Sequence, residues 1–281
     1  MIWGLLAALG WGSADLGATV AGRRLGAFPT VIVAQVFSAL ATTVILLTSG
    51  AGFEGLRSIA GILVLNGVVT SAAYFMHYKA LAMGPMVVVS PIGASYALVG
   101  IALAVLITGE RPELLAYIGA VVTIAGVMLT STDLPRLRAG THGTPPGLPW
   151  AIGATVCFGI AAYTLGRAAQ LVGWELGLWA SRVAQVICFA PFILVRRSEF
   201  VGMAMAGVGL AILTGTADLV GVVTYSIGSE RGHLSIVLAA SAIFPMIAVA
   251  GSIAFLGERP VPNQYVGVAM VAVGLVLLGF A

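Results

Sequence analysis

The chain has 281 residues, of which 60% are hydrophobic and only 8% charged, with a mean hydropathy of +1.08. A soluble domain carries about 25% charged residues, so this chain cannot clothe itself for water and must be solvated by lipid. Its net charge of +3 is spread over short loops and clusters on no single face, which excludes a nucleic-acid partner.

Glycine, proline and charge divide the sequence into ten apolar segments, at about 2–22, 29–49, 59–81, 86–107, 113–131, 148–168, 174–194, 207–228, 234–255 and 263–280. A helix crossing the bilayer core needs roughly 20 apolar residues. Helices are expected throughout, because a backbone in lipid must satisfy its own hydrogen bonds and no alternating strand pattern suggests a barrel. The first segment lacks the basic start of a signal peptide, so it reads as a transmembrane helix. It carries Trp11-Gly12-Ser13 and, in mid-span, Asp15. Gly4, Ala8, Trp11, Asp15, Ala18 and Gly22 share one stripe, which turns Asp15 toward the protein. The second segment carries Gln35. The third places Asn66, Thr70, Tyr74 and His77 on one face and ends in Tyr78-Lys79-Ala80-Leu81 before Gly84-Pro85. The fourth contains Ser90-Pro91, and Gly109-Glu110-Arg111-Pro112 leads into the fifth, which holds Gly119 and Gly126.

Thr132 to Pro149 is the one sizeable linker, rich in proline and carrying Arg136 and Arg138; its prolines stiffen it. Beyond it the sixth segment holds Cys157, and the seventh holds Trp179, Arg182 and Gln185 at three-residue intervals, with Cys188 further on. The two cysteines fall in apolar segments and read as buried small side chains. The eighth segment places Thr214, Asp218, Tyr225 and Ser229 on one face. The ninth contains Phe244-Pro245, and Gly257-Glu258-Arg259-Pro260 leads into the tenth, with Gly267 and Gly274.

The chain is thus written twice. The Gly-Glu-Arg-Pro motif and the two glycines that follow it recur at a fixed offset of 148, from 109 to 257. The same offset pairs Gly67 with Gly215, Gly84 with Gly232, Ala94 with Ala242 and Thr70 with Asp218. An offset of 147 pairs Trp3 with Trp150, Gly12 with Gly159, Gln35 with Arg182 and Asp15 with Ala162. The expected fold is an all-α integral membrane protein of ten transmembrane helices in two inverted five-helix repeats. These cover residues 1–131 and 150–281, with residues 132–149 as linker. An odd number of helices per repeat sends the second copy into the membrane from the opposite side, the arrangement of alternating-access transporters, whose binding sites lie near the midplane.

The order of segments, the two Gly-Glu-Arg-Pro motifs, Trp11-Gly12-Ser13, and Tyr78-Lys79-Ala80-Leu81 before Gly84-Pro85 resemble the EamA-like members of the drug/metabolite transporter superfamily. The resemblance covers the whole chain. It implies a ten-helix secondary transporter, often an exporter of metabolites, amino acids or drugs, in a bacterial inner or plasma membrane. One chain holds both halves, so a monomer suffices.

A charge at a helix centre costs about 2.5–3.5 kcal/mol on insertion scales, so Asp15, Arg182 and Asp218 must face a partner, the bundle interior or water. With Gln35, Asn66, Thr70 and His77 they are expected to line the pathway of a small-molecule substrate or of protons, walled by Trp11, Tyr74, Trp179 and Tyr225. Burial disfavours an ionised carboxylate and a nearby arginine favours it, so the two effects together can poise an aspartate to exchange a proton. An Asp–Arg clamp that fixes helix packing without titrating is the alternative. Pro91 and Pro245 are hinge candidates, since proline frees a backbone carbonyl and permits a bend. The Gly-Glu-Arg-Pro motif reads as a tight turn, with glycine ending one helix and proline opening the next.

Neither a nucleotide loop nor metal-ligand spacing occurs, so no cofactor or metal is expected. Motifs of hydrolases are likewise missing, which leaves a channel or lipid scramblase as the main alternative to a carrier, with an intramembrane enzyme less favoured. Loops after odd segments carry eight Lys and Arg against four after even ones. The positive-inside rule then puts both termini outside, whereas the family resemblance implies both in the cytoplasm.

Overall fold

A computed structural model describes residues 2–108, 113–131, 134–135, 144–231 and 234–279. Among them every regular element is helical. The first half contains α1 (Ile2–Leu25), α2 (Ala27–Ser49), α3 (Ala60–Met83), α4 (Met86–Ala94), α5 (Tyr96–Thr108) and α6 (Leu114–Ser131). The second contains α7 (Leu148–Val172), α8 (Trp174–Val195), a short 3-10 turn (Arg197–Phe200), α9 (Met205–Arg231), α10 (Leu234–Ser241), α11 (Pro245–Leu256) and α12 (Pro262–Gly279).

Each of the ten predicted segments is helical, but the fourth and ninth are each broken in two. Pro91 lies inside α4, where it withholds a backbone donor and crowds the preceding turn, and the helix is interrupted one turn later at Ser95. Pro245 does not sit inside a continuous helix as expected. It occupies the first turn of α11, where a missing N–H costs nothing, and the break falls over residues 242–244.

Six stretches among the described residues are long and apolar enough to cross a membrane: α2, α3, the α4–α5 run over Met86–Ile107, α7, α8 and α9. The other apolar helices are shorter, over Val121–Thr130, Pro245–Leu256 and Pro262–Leu277. Helix α1 is 24 residues long and carries Asp15, Arg23 and Arg24. Its buried positions include Ala7, Gly10, Gly12, Ala14 and Ala21 as well as the predicted stripe, apart from Trp11, which is half-buried; it is thus enclosed over most of its girth rather than along one line.

The two halves are interleaved. The most extensive contacts join α1 to α9, α3 to α7 and α6 to α12, with α2 also against α8. Exchanging the repeats turns the first pair into the second and leaves the others unchanged, which is the contact set that a two-fold relation between halves produces. Small residues permit this closeness. A Cβ on Gly126 would lie 2.8 Å from the Gly267 carbonyl oxygen, and one on Gly267 would lie 2.8 Å from that of Gly126, so α6 and α12 touch backbone to backbone.

These contacts also define two ends of the bundle. Gly228 meets Trp3 and Gly55 meets Val172 at the terminal end, where α1 begins. At the far end Gly207 meets Leu25, and Gly147 meets Ala80.

Candidate functional site: a cavity between the halves

A cavity of about 830 Å³, counting the open space at its mouth, lies between the halves. On each helix the lining residue nearest the far end is Asp15 of α1, Tyr78 of α3, Gly93 of α4, Phe158 of α7, Gln185 of α8 and Asp218 of α9. From that floor it runs toward the terminal end, reaching Asn66 and Leu178, each within two turns of the start of its helix.

Two polar clusters meet there. In the first, Arg182 and Asp218 form an ion pair at 2.9 Å, their side chains only 4% and 2% exposed. Tyr74 donates its hydroxyl to the other Asp218 oxygen at 2.6 Å, and Arg182 donates to the Tyr74 oxygen at 3.2 Å. The second guanidinium nitrogen of Arg182 donates to Gln35 Oε1 at 2.5 Å and Gln185 Oε1 at 3.0 Å, and Gln35 Nε2 lies 3.5 Å from Asp218. Four groups thus surround one guanidinium, an arrangement its planar fork can serve and an ammonium cannot. Gln35 and Arg182, partners in the sequence repeat, touch directly.

In the second cluster, His77 Nε2 lies 2.8 Å from Asp15 Oδ1, and Ser90 of α4 donates to Asp15 Oδ2. The repeat illuminates this pair. Asp15 corresponds to Ala162 and His77 to Tyr225, and Tyr225 donates its hydroxyl to the Ala162 carbonyl at 3.0 Å. The same inter-helix contact is therefore ionisable in one half and neutral in the other. Phe158 stands between the clusters, edge-on to Tyr74 at 5.1 Å and to His77 at 5.4 Å.

The rest of the lining combines aromatic rings with small and aliphatic side chains. Trp11 packs edge-on to Tyr96 at 6.0 Å and tilted on Tyr225 at 5.5 Å. Tyr96 and Phe244 occupy equivalent positions in the repeat, one at each helix break, and both line the cavity. Asn66 donates to Thr164 Oγ1 at 2.8 Å and to the Ala161 carbonyl, and accepts from Thr70. Buried polar atoms with no protein partner among the described residues include Ser181 Oγ, Gln185 Nε2, Tyr78 OH and His77 Nδ1, all on side chains that line the cavity.

Most predicted site residues converge here: Trp11, Asp15, Asn66, Thr70, Tyr74, His77, Arg182, Asp218 and Tyr225 line the space, and Gln35 stands behind Arg182. Trp179 does not line it. Its ring nitrogen donates to Thr43 at 3.0 Å and its ring meets Phe53 at 5.4 Å. The three-residue interval to Arg182 leaves Trp179 on a flank of α8, and its large apolar ring finds α2 instead. Sequence reasoning missed Phe158, Ser181, Tyr96, Phe244 and the role of Ser90. The helix-breaking prolines were the only hint to the breaks where Tyr96 and Phe244 lie. Lys79 lies 3.8 Å over the Trp150 ring at the far end, outside the cavity.

The EamA-like transporter family matches residues 1–132 and 145–280. The chain belongs to this family. As an EamA-like protein it is a multi-pass integral membrane protein and a membrane transporter of the drug/metabolite type, rather than an enzyme. A crystal structure described only as that of a protein shares its fold, with a TM-score of 0.72 at 18% identity over 99% of this chain and 96% of the other. No curated protein matches the sequence at a significant level.

Proposed function

We propose that this EamA-like protein is a proton-coupled secondary transporter that exports a small organic metabolite, amino acid or drug-like solute by alternating access. In this reading all ten helical segments cross the bilayer as two inverted repeats, and the solute occupies the cavity between them. The observation that carries the reading is the convergence of Asp15, Arg182 and Asp218, from three helices, on one enclosed space at mid-bundle. Isolated charges at that depth are expensive, and a pathway gives them a use.

The two clusters divide the work. Arg182 and Asp218 neutralise each other and are held by Tyr74, Gln35 and Gln185, which suits a clamp that shapes the cavity. Among the described residues Asp15 is paired with no arginine or lysine, so it is the proton carrier. Its proton passes between the cavity and the floor at His77 and Ser90. The aromatic wall holds the apolar body of the solute, and unpartnered groups such as Ser181 Oγ receive its polar atoms. Pro91 and Pro245 lie beside the two helix breaks, where α4 and α11 turn relative to their continuations.

A thermal-shift screen of metabolites and amphipathic solutes supplies the test compound. In proteoliposomes carrying a trapped pH dye, the wild type should couple a gradient of that compound to proton flux. Asp15→Asn should abolish the proton flux while retaining solute exchange. Unchanged proton flux in Asp15→Asn would overturn the coupling assignment, and ungated, non-saturable conductance would overturn the carrier.

A further inference from the structure

The second Gly-Glu-Arg-Pro motif does more than turn the chain. Gly257 ends α11 in the left-handed region at φ 66°, the conformation glycine adopts without a Cβ penalty. Pro260, expected to open the next helix, lies before it; Pro262 opens α12. Between these two punctuation marks Glu258 points away from its own turn. Its two carboxylate oxygens accept the backbone N–H groups of Met86 and Val87, each at 3.0 Å.

Met86 and Val87 open α4. The first N–H groups of any helix lack intrahelical partners, and here Val88 and Val89 already bond to Pro85. Pro85 has no side-chain cap to offer. The cap is therefore supplied from the other repeat, by a carboxylate placed where the helix dipole favours negative charge. Arg23, at the end of α1, completes the contact: one nitrogen lies 3.4 Å from Glu258 Oε1 and 3.1 Å from the Gly84 carbonyl. The Glu258 side chain is 12% exposed and that of Arg23 39%, so the carboxylate is sheltered under a solvent-facing arginine at the far end, opposite the end toward which the cavity runs.

All nine residues of α4 are buried. Its N-terminus is held by Glu258, its Ser90 donates to Asp15, and Pro91 precedes the break at Ser95. One short rigid element thus runs from the motif to the floor of the cavity.

We infer that Glu258, with Arg23, is a latch between the repeats that closes the far end of the pathway by capping α4, and that transport requires its release. The inference rests on the alternating-access reading above. Releasing the cap frees α4 to move at the Ser95 break and carries Ser90 away from Asp15, so that opening the far end and changing the hydrogen bonding of Asp15 become one event. This gives the acidic residue of the motif a role in transport that a simple turn does not require.

The test reads accessibility and needs no solute. Ala14 lines the floor of the cavity. In a background with Cys157 and Cys188 replaced by alanine, an Ala14→Cys reporter is labelled by an impermeant thiol reagent from either face of oriented vesicles. Far-side labelling should be slow in the parent. In Glu258→Gln the amide nitrogen cannot accept, so one backbone N–H loses its acceptor and the charge is gone from the other contacts; labelling should rise at least about tenfold. Arg23→Gln, which leaves both backbone contacts in place, should give a smaller rise. A matching rise in terminal-side labelling marks a variant that has lost its fold, whereas an unchanged or lower terminal-side rate shows that it remains folded. Far-side labelling of folded Glu258→Gln within twofold of the parent overturns the latch.

A second variant guards against misfolding. Met83 and Arg259 are exposed on the two sides of the latch, and Met83→Cys with Arg259→Cys can be joined from the far side by an impermeant cleavable cross-linker. Joining them should suppress far-side labelling, and cleavage should restore it; labelling at the unjoined rate overturns the proposal. Were the chain not a transporter, uptake would be missing in every protein while these labelling differences persisted, so the two failures are distinguishable.

Discussion

Breaking the Arg182–Asp218 pair should be among the most damaging single changes available in this protein. Both side chains are almost fully buried, so Arg182→Gln leaves the Asp218 carboxylate with a hydroxyl at 2.6 Å and an amide at 3.5 Å but no cation. Removing one partner of a buried pair costs about 3–5 kcal/mol. The carbonyls of Gln35 and Gln185 lose their donors as well, and a buried acceptor left unsatisfied costs about 1–3 kcal/mol. Asp218→Asn should cost a similar amount to breaking the pair, by leaving the guanidinium unpaired. In the double variant neither charge is stranded, so its cost should fall short of the sum of the two by about 2–4 kcal/mol. Arg182→Lys keeps the charge but cannot serve all four partners, and should lie between wild type and Arg182→Gln. The assay is reversible unfolding in mixed micelles by titration with sodium dodecyl sulfate, followed by helicity. A cost of Arg182→Gln below about 1 kcal/mol, or strict additivity within about 0.5 kcal/mol, would refute the clamp and reopen Arg182 as a residue held for a ligand.

Other consequences are simpler to check. Gly126→Ala places a Cβ 2.7 Å from the Val271 nitrogen and 2.8 Å from the Gly267 oxygen; forcing α6 from α12 should cost about 1–3 kcal/mol, read in the same unfolding titration, and unchanged stability would contradict the backbone contact. Ser90→Ala removes a donor from Asp15 and should slow proton-coupled flux, with Ser90→Thr restoring most of it. Tyr225→Phe removes the hydrogen bond to Ala162, at about 0.5–1.5 kcal/mol, yet keeps the ring against Trp11, so it should lower stability while leaving the affinity of a cavity ligand within about threefold, since 1.4 kcal/mol is a factor of ten. Trp179→Phe, which lies outside the cavity, should leave that affinity unchanged; a large loss would show that the tryptophan reaches the solute in another conformation.

Lipid as solvent made much of this protein legible in its sequence. Ten helical segments could be placed because only apolar runs of sufficient length are tolerated, and their ends are marked by residues that lipid rejects. The repeat could be read because it is spelled out in identical residues. Asp15, Arg182 and Asp218 were conspicuous because charge at mid-segment has few structural excuses. His77 and Tyr74 could be placed on the same face as Asn66 by helical spacing alone.

Pairing was another matter, because spacing along a helix fixes a direction and not the neighbour that lies there. Sequence offered Asp15 and Asp218 as interchangeable acids; tertiary packing gave Asp218 an arginine and a tyrosine, and gave Asp15 a histidine and a serine. The interval between Trp179 and Arg182 placed them on neighbouring faces, yet only packing sent one ring to α2 and the guanidinium to the cavity. Tyr96 and Phe244 are ordinary aromatic residues until two broken helices bring them opposite Trp11 and its surroundings. Glu258 shows the limit most clearly. The repeat identified its motif, and local chemistry accounted for the glycine, but its carboxylate is satisfied by backbone groups 171 and 172 positions earlier in the chain. Sequence determined the helices and their burdens of charge because those follow from local length and transfer energy, whereas the closing of α4 by Glu258 depends on three segments meeting in space, which only the fold decides.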